Sequence, residues 1–320
     1  DLNGSDADLQ FSFRDSVEPV YRELVDLLLK DGDKIASQNL TTARDLIESL
    51  QVAELENFLR QGCLDTYTVQ LDKIDRSAAI IYSIVLPDRV AVIASIPGQP
   101  LRYYSQNISQ QNIEEKIAKL RTKIENPEFS SRQEQTFKTQ SKQLYDLLIS
   151  PLTADIQKSN TKTLVFILDG VLRNLPMSVL YDGKQYLVEK YNLALTPGLQ
   201  LVPPSEVAER ESRQAFLGGI SESRQGFTAL PGVRSEIESI GQLIPNQKLI
   251  DEKFNNRQVA SNLVASNSQI VHLATHGQFS SNPEDTFILT WDGRLDINGL
   301  QNLIQNRNNR SSKGIDLLVL

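Results

Sequence analysis

Residues 270–279 read IVHLATHGQF and hold both histidines of the chain. Ile270, Val271 and Thr275 are β-branched, the apolar run is short and Gly277 closes it, so the segment reads as a strand rather than a helix. A nearly continuous apolar run is what a parallel strand covered on both faces looks like. The same texture recurs in TLVFIL (163–168), AFLGGI (215–220) and IDLLVL (315–320). Amphipathic helices separate some of these runs. RSEIESIGQLI carries Ile237, Ile240 and Ile244 on one side, and NRQVASNLVAS carries Val259 and Leu263. The alternation predicts an α/β domain over 151–320, a mainly parallel sheet flanked by helices.

A smaller helical and β-meander module is expected before it, over residues 17–150. Val20, Leu24, Leu27 and Leu28 recur at helical spacing, as do Leu46, Leu50, Ala53 and Leu55, which predicts an antiparallel helix pair. The threonines of NLTTARDLIESLQVAELENFL stand where they can cap the second helix. AAIIYSIVL and VAVIASI flank the turn PDR, and LRYY supplies a third strand. Two polar helices follow, one striped by Ile113, Ile117, Leu120 and Ile124, the other by Phe137, Leu144, Leu147 and Leu148. Asp182-Gly183 within LYDGKQYLVEKY signals a hairpin turn. Residues 1–16 are polar and read as a linker or disordered segment. The first residue is Asp1 rather than Met, so a fragment of a longer protein is expected.

Composition removes several classes of function. A net charge of −7 opposes a nucleic-acid surface, which needs a basic face. The longest apolar runs fall well short of the roughly 20 residues that span a bilayer. No secretory leader is legible, and the one cysteine, Cys63, fits a reducing, cytoplasmic setting and removes a cysteine-based zinc site.

The histidines admit three readings. As a metal pair, His272 and His276 would need a helix; along a strand they stand about 13 Å apart and cannot share an ion. As core, a histidine inside an apolar strand is a satisfied buried residue, and this suits His272. As a base, His276 is better placed, because it follows the carboxyl end of a parallel strand and precedes Gly277 and a polar loop, where open α/β sheets bind ligands. The nucleophile is harder to find. Cys63 lies at a helix end in the other module and reads as inert, while Ser280 and Ser281 are too close along the loop. Asp169 ends TLVFIL and either makes a turn with Gly170 or faces the crevice, where it can select a basic substrate residue. LGGIS lacks the spacing and lysine of a phosphate loop and reads as a tight strand exit.

VHLATHGQF, followed by FILTWDGRLDINGLQNL and IDLLVL, resembles the CHAT-domain family, bacterial relatives of caspases and separases. LVFILDGVLRNLPMSVLYDGKQYLVEKYNLALTPGLQLV and ALPGVRSEIESI continue the likeness upstream. PVYRELVDLLL and SLQVAELENFLRQGCLD resemble the module that precedes the domain in cyanobacterial members bearing tetratricopeptide repeats. The resemblance implies a caspase-like fold and a cysteine endopeptidase in which His276 is the base and the Gly277 N–H helps form an oxyanion hole. It implies a nucleophilic cysteine just after IDLLVL, past Leu320, so that residues 1–320 alone are expected to be inactive. It implies no metal or organic cofactor, a protein or peptide substrate, and a regulatory partner reached through upstream helical repeats. The rival expectation is a non-catalytic signalling scaffold built on the same fold.

Overall fold

The run AAIIYSIV forms β1 (Ala78–Val85), and its burial is complete along its length. The computed structural model describes residues 16–30, 32, 35–59, 76–125, 131–201, 213–278, 285–308 and 315–320. They fall into two compact units, residues 1–205 and 206–320.

In the unit 1–205, β1 is the middle strand of a five-stranded sheet. It pairs antiparallel with β2 (Arg89–Ser95), which pairs with β3 (Arg102–Asn107). On its other side lies β4 (Thr163–Leu168), parallel to β1, then β5 (Asn192–Leu195). β4 follows residue 150 and β1 precedes it, so one sheet spans the position where a domain boundary is expected. Strand alternation divides β1 between two cores. Ala79, Ile81 and Val85 pack with α3 (Gln110–Ile124), α4 (Ser131–Leu148) and Ile156 of the short α5 (Thr153–Lys158). Ala78, Ile80, Tyr82 and Ile84 pack with α1 (Glu18–Leu28) and α2 (Ser37–Leu59).

Three local expectations change. On α1 the buried position is Val25, with Leu29 just beyond the helix, whereas Val20 is 63% and Leu27 65% exposed. Of the expected stripe Leu28 packs, partly buried, against the same core as Val25, while Val20, Leu24 and Leu27 face outward. Thr41 and Thr42 do not cap α2, because the helix starts at Ser37 and their hydroxyls donate back to the carbonyls of Ser37 and Gln38. Asp182-Gly183 does turn the chain, with Asp182 Oδ1 accepting the N–H groups of Lys184 and Gln185. Its flanks, however, meet in a single bridge, Tyr181 to Tyr186, rather than in two strands.

The unit 206–320 carries an all-parallel sheet in the order β12-β8-β6-β7. Its strands are β6 (Ala215–Gly219), β7 (Asn246–Ile250), β8 (Ile270–Ala274) and β12 (Leu317–Val319). α6 (Gly232–Gly241) covers one face through Val233 and Ile237. α7 (Asn256–Ala265) and α8 (Ile297–Asn308) cover the other, where Phe216, Val271 and Leu273 meet Val259, Leu263 and Leu300. The fold is therefore α/β with a mainly parallel sheet flanked by helices, alongside a smaller helical and β module. The winding reverses at β6: β7 lies on one side, and the chain then crosses to β8 on the other. Such a switch point leaves a crevice at the carboxyl ends of β6 and β8. A small antiparallel sheet joins β9 (Gly277–Gln278), β10 (Phe287–Leu289) and β11 (Arg294–Asp296).

Close packing accounts for the two glycines of LGGIS. A Cβ at Gly218 would lie 2.3 Å from the Phe254 ring, and one at Gly219 would lie 2.4 Å from the Ala274 carbonyl oxygen. Among the described residues, no helix is long and apolar enough to cross a membrane.

Candidate active site

His276 stands two residues past the end of β8, where the chain leaves the parallel sheet and enters the small antiparallel one. The Leu289 N–H donates to the His276 carbonyl at 2.8 Å, and the Thr275 hydroxyl donates to the Leu289 carbonyl at 2.9 Å. These bonds fix the backbone on both sides of the ring. The half-buried imidazole lies against Phe227, with ring centroids 5.0 Å apart and planes 33° apart. Phe227 in turn meets Phe287 edge-on at 6.3 Å.

Among the described residues the ring makes a short polar contact, His276 Nε2 to the carbonyl oxygen of Thr228, at 2.7 Å. A carbonyl only accepts, so Nε2 carries the hydrogen. In the neutral ring Nδ1 is then the basic nitrogen. The contact chooses the tautomer and the ring orientation together, as a partner on the far nitrogen does for a histidine base.

Gly277 pairs with Ile288 across β9 and β10. The bond from Leu289 N–H to the His276 carbonyl makes this a non-hydrogen-bonded pair, so the Gly277 N–H points away from β10. An exposed N–H beside the imidazole is thus directed out of the ladder. β12 runs parallel to β8, with Leu317 level with Ile270 and Val319 with His272. The carboxyl end of β12 therefore lies next to the strand that delivers His276.

Residues 138–320 match the family model described as CHAT domain. The chain belongs to the CHAT-domain family. That family is linked to cysteine peptidase-like proteins and a caspase-like fold. No curated protein matches the chain. The CHAT-domain match starts within α4, includes β4 and β5, and takes in the whole parallel sheet of 206–320.

His272 lies in the core of the CHAT domain at 9% exposure, on the α6 side of β8. Its Nε2 faces Glu236 Oε1 on α6 at 3.1 Å without hydrogen-bond alignment. β8 is a strand, so the two imidazoles do not stack one above the other.

Of the two readings of Asp169 the structure shows the turn and not the crevice: the Leu172 N–H donates to its carbonyl at 3.1 Å, and Gly170 follows with φ 53°. Asp169 is fully buried in the unit 1–205, with Arg22 donating to both oxygens at 2.7 and 2.9 Å and the Val85 N–H adding 3.0 Å. Burial alone would lower the pKa of Arg22. Its bonds to Asp169, and then to Glu18, more than reverse that and hold it above the ordinary guanidinium value. The carboxylate that was to meet a basic substrate is neutralised by an arginine 147 positions away. Cys63, Ser280 and Ser281 lie outside the described residues.

Sequence reasoning missed Thr228 and Phe227. Thr228 acts through its backbone, which any residue can supply, so its identity carries no signal. Phe227 follows the turn pair Gln225-Gly226, and that pair was the available clue.

Proposed function

We propose that this chain carries the base-bearing part of a caspase-like cysteine endopeptidase. The carrying observation is the 2.7 Å contact from His276 Nε2 to the Thr228 carbonyl. It makes Nδ1 the basic nitrogen of the neutral ring, the one to take a thiol proton and later return it to the leaving amine. The nucleophile is a cysteine that follows β12 in the longer protein. Continuing the β12–β8 register, residues just after Leu320 run alongside Ala274 to His276, the placement needed for a thiolate–imidazolium pair. Attack of the thiolate on a peptide carbonyl gives a tetrahedral oxyanion, for which the outward Gly277 N–H is a donor. Expulsion of the amine leaves a thioester, and water activated by the same imidazole hydrolyses it.

The substrate is a protein or peptide, and the setting is cytoplasmic, in keeping with the single cysteine. A regulatory partner acts through repeats upstream of α1, as in the cyanobacterial members with tetratricopeptide repeats. The test uses the chain extended past Leu320 in its natural sequence. His276→Ala is expected to lower peptide cleavage on the order of 10³-fold. Equal cleavage by parent and variant rejects the assignment.

The second reading is a non-catalytic interaction platform. Its support is the apolar stripe of Val17, Val20, Leu24 and Leu27, exposed along and just before α1. Absence of a cysteine after β12, with no cleavage by the extended chain, decides for it.

A further inference from the structure

The Thr228 carbonyl belongs to a loop that is fastened at two points, and we propose that Gln225 and Arg224 are positioning residues for His276. The inference rests on His276 being the base. Arg224 and Phe227 exchange backbone bonds of 3.1 and 2.9 Å around Gln225 and Gly226, whose φ values are 51° and 87°. This is a two-residue turn with both central residues left-handed. Glycine adopts that conformation freely, whereas glutamine does so only where surroundings hold it.

The surroundings are the turn between β10 and β11. Gln225 Nε2 donates to the Thr290 carbonyl at 3.0 Å and lies 3.3 Å from the Gly293 carbonyl. Arg224 Nε donates to the Trp291 carbonyl at 3.0 Å, and its guanidinium sits 4.1 Å over the Trp291 ring. Thr290 directly follows Leu289, the residue bonded to the His276 backbone. The path closes: His276 backbone to β10, β10 to Thr290, Thr290 to Gln225, and Gln225 through Phe227 and Thr228 back to the His276 ring. The bridge thus holds the imidazole and its acceptor at one separation.

The second fastening lies at the other end of the loop. Leu230 N–H donates to the Ser221 carbonyl, and Ser221 N–H and hydroxyl donate to the buried Asp251, which Arg234 also contacts. Without the Gln225 amide, the β10 side of the loop keeps only the Arg224 contacts to Trp291 and the packing of Phe227 on Phe287.

Ring NMR of the 320-residue chain tests the proposal without turnover. Two histidines give two sets of signals, which His272→Gln assigns. The neutral His276 ring is expected as the Nε2–H tautomer with a slowly exchanging proton. Gln225→Gly removes the amide while relaxing the turn. Gln225→Glu keeps the length, but its carboxylate cannot donate. Both are expected to speed Nε2–H exchange roughly fivefold, the factor for one net hydrogen bond of about 1 kcal/mol. Arg224→Ala added to either speeds it further, and the His272 signals stay unchanged. An unaltered His276 exchange rate in both Gln225 variants overturns the proposal. Faster exchange at His272 as well assigns Gln225 to general stability and overturns it equally. If cleavage proves independent of His276 while the exchange effect stands, the base assignment fails and the bridge does not.

Discussion

Gly219→Ala is the substitution whose cost can be worked most directly from contacts. The added Cβ would lie 2.4 Å from the Ala274 carbonyl oxygen, 2.7 Å from Val233 Cγ1 and 3.2 Å from Ile237 Cδ1. Real Cβ atoms essentially never approach within 3.0 Å, so the first contact must open by about 0.6 Å. A side chain can rotate out of the way, but a carbonyl inside a parallel sheet cannot. Ala274 O also accepts the Ile220 N–H at 3.1 Å, so relief stretches a bond that holds β6 to β8. Overpacking of this kind costs about 3 kcal/mol, or a loss of about 10 °C in melting temperature for a unit of this size. Thermal unfolding followed by circular dichroism measures it. Val233→Ala in the same chain recovers little, because the backbone obstacle remains. Gly218→Ala is the control: its obstacle is the Phe254 ring at 2.3 Å, so Phe254→Leu recovers much of its loss. A loss below about 2 °C for Gly219→Ala would refute the reasoning. So would its full rescue by Val233→Ala. Because Ala274 leads into Thr275 and His276, the displaced strand end also moves the imidazole relative to Thr228.

Two further outcomes follow from charge. Arg22→Met leaves the fully buried Asp169 carboxylate with the Val85 N–H, whereas Asp169→Asn leaves an Arg22 that is 24% exposed and still paired with Glu18. Urea unfolding is expected to show a loss of about 3 kcal/mol for the first and about 1–2 kcal/mol for the second; the opposite order contradicts the burial argument. Asp182 is half-buried, its side chain 19% exposed; burial raises its pKa, but the N–H groups of Gln185 and Lys184 and the charge of Lys190 outweigh it and hold the carboxyl below its ordinary value. A depressed carboxylate stabilises the fold above its unfolded pKa of about 4 and loses that contribution as pH falls through the folded value. Asp182→Asn is therefore expected to cost less than about 1 kcal/mol at neutral pH, with the difference from the parent shrinking below about pH 4, as urea titrations at several pH values would show; a constant difference down to pH 2 would remove the carboxylate from the explanation.

The position of His276 was legible because two local facts coincide there: an apolar, β-branched run ends, and a glycine follows. The contact that gives the ring its tautomer was not legible, since a backbone carbonyl 48 positions earlier has no side-chain signature. Asp169 shows the opposite case. Its place at a strand end was readable, yet its partner on α1 was not, because nothing local distinguishes Arg22 from other helix-surface arginines. The exposed stripe of α1 likewise looked like the core face, as periodicity reports that a helix has an apolar side without saying what lies opposite.

By itself the sequence determined that TLVFIL and AFLGGI hold strands buried on both faces and that the helices between the runs are amphipathic, because burial is written into each segment's own hydrophobicity. IDLLVL, read the same way, forms an edge strand among the described residues with Leu317 51% exposed, since its own hydrophobicity does not say how many neighbours it has. It also placed the CHAT-domain histidine at a strand end. The tertiary structure alone decided that β4 joins β1, that Asp169 is neutralised and that Thr228 orients His276. Each of these depends on groups far apart in the chain, and the energy that pairs them exists only once the fold brings them within hydrogen-bonding distance.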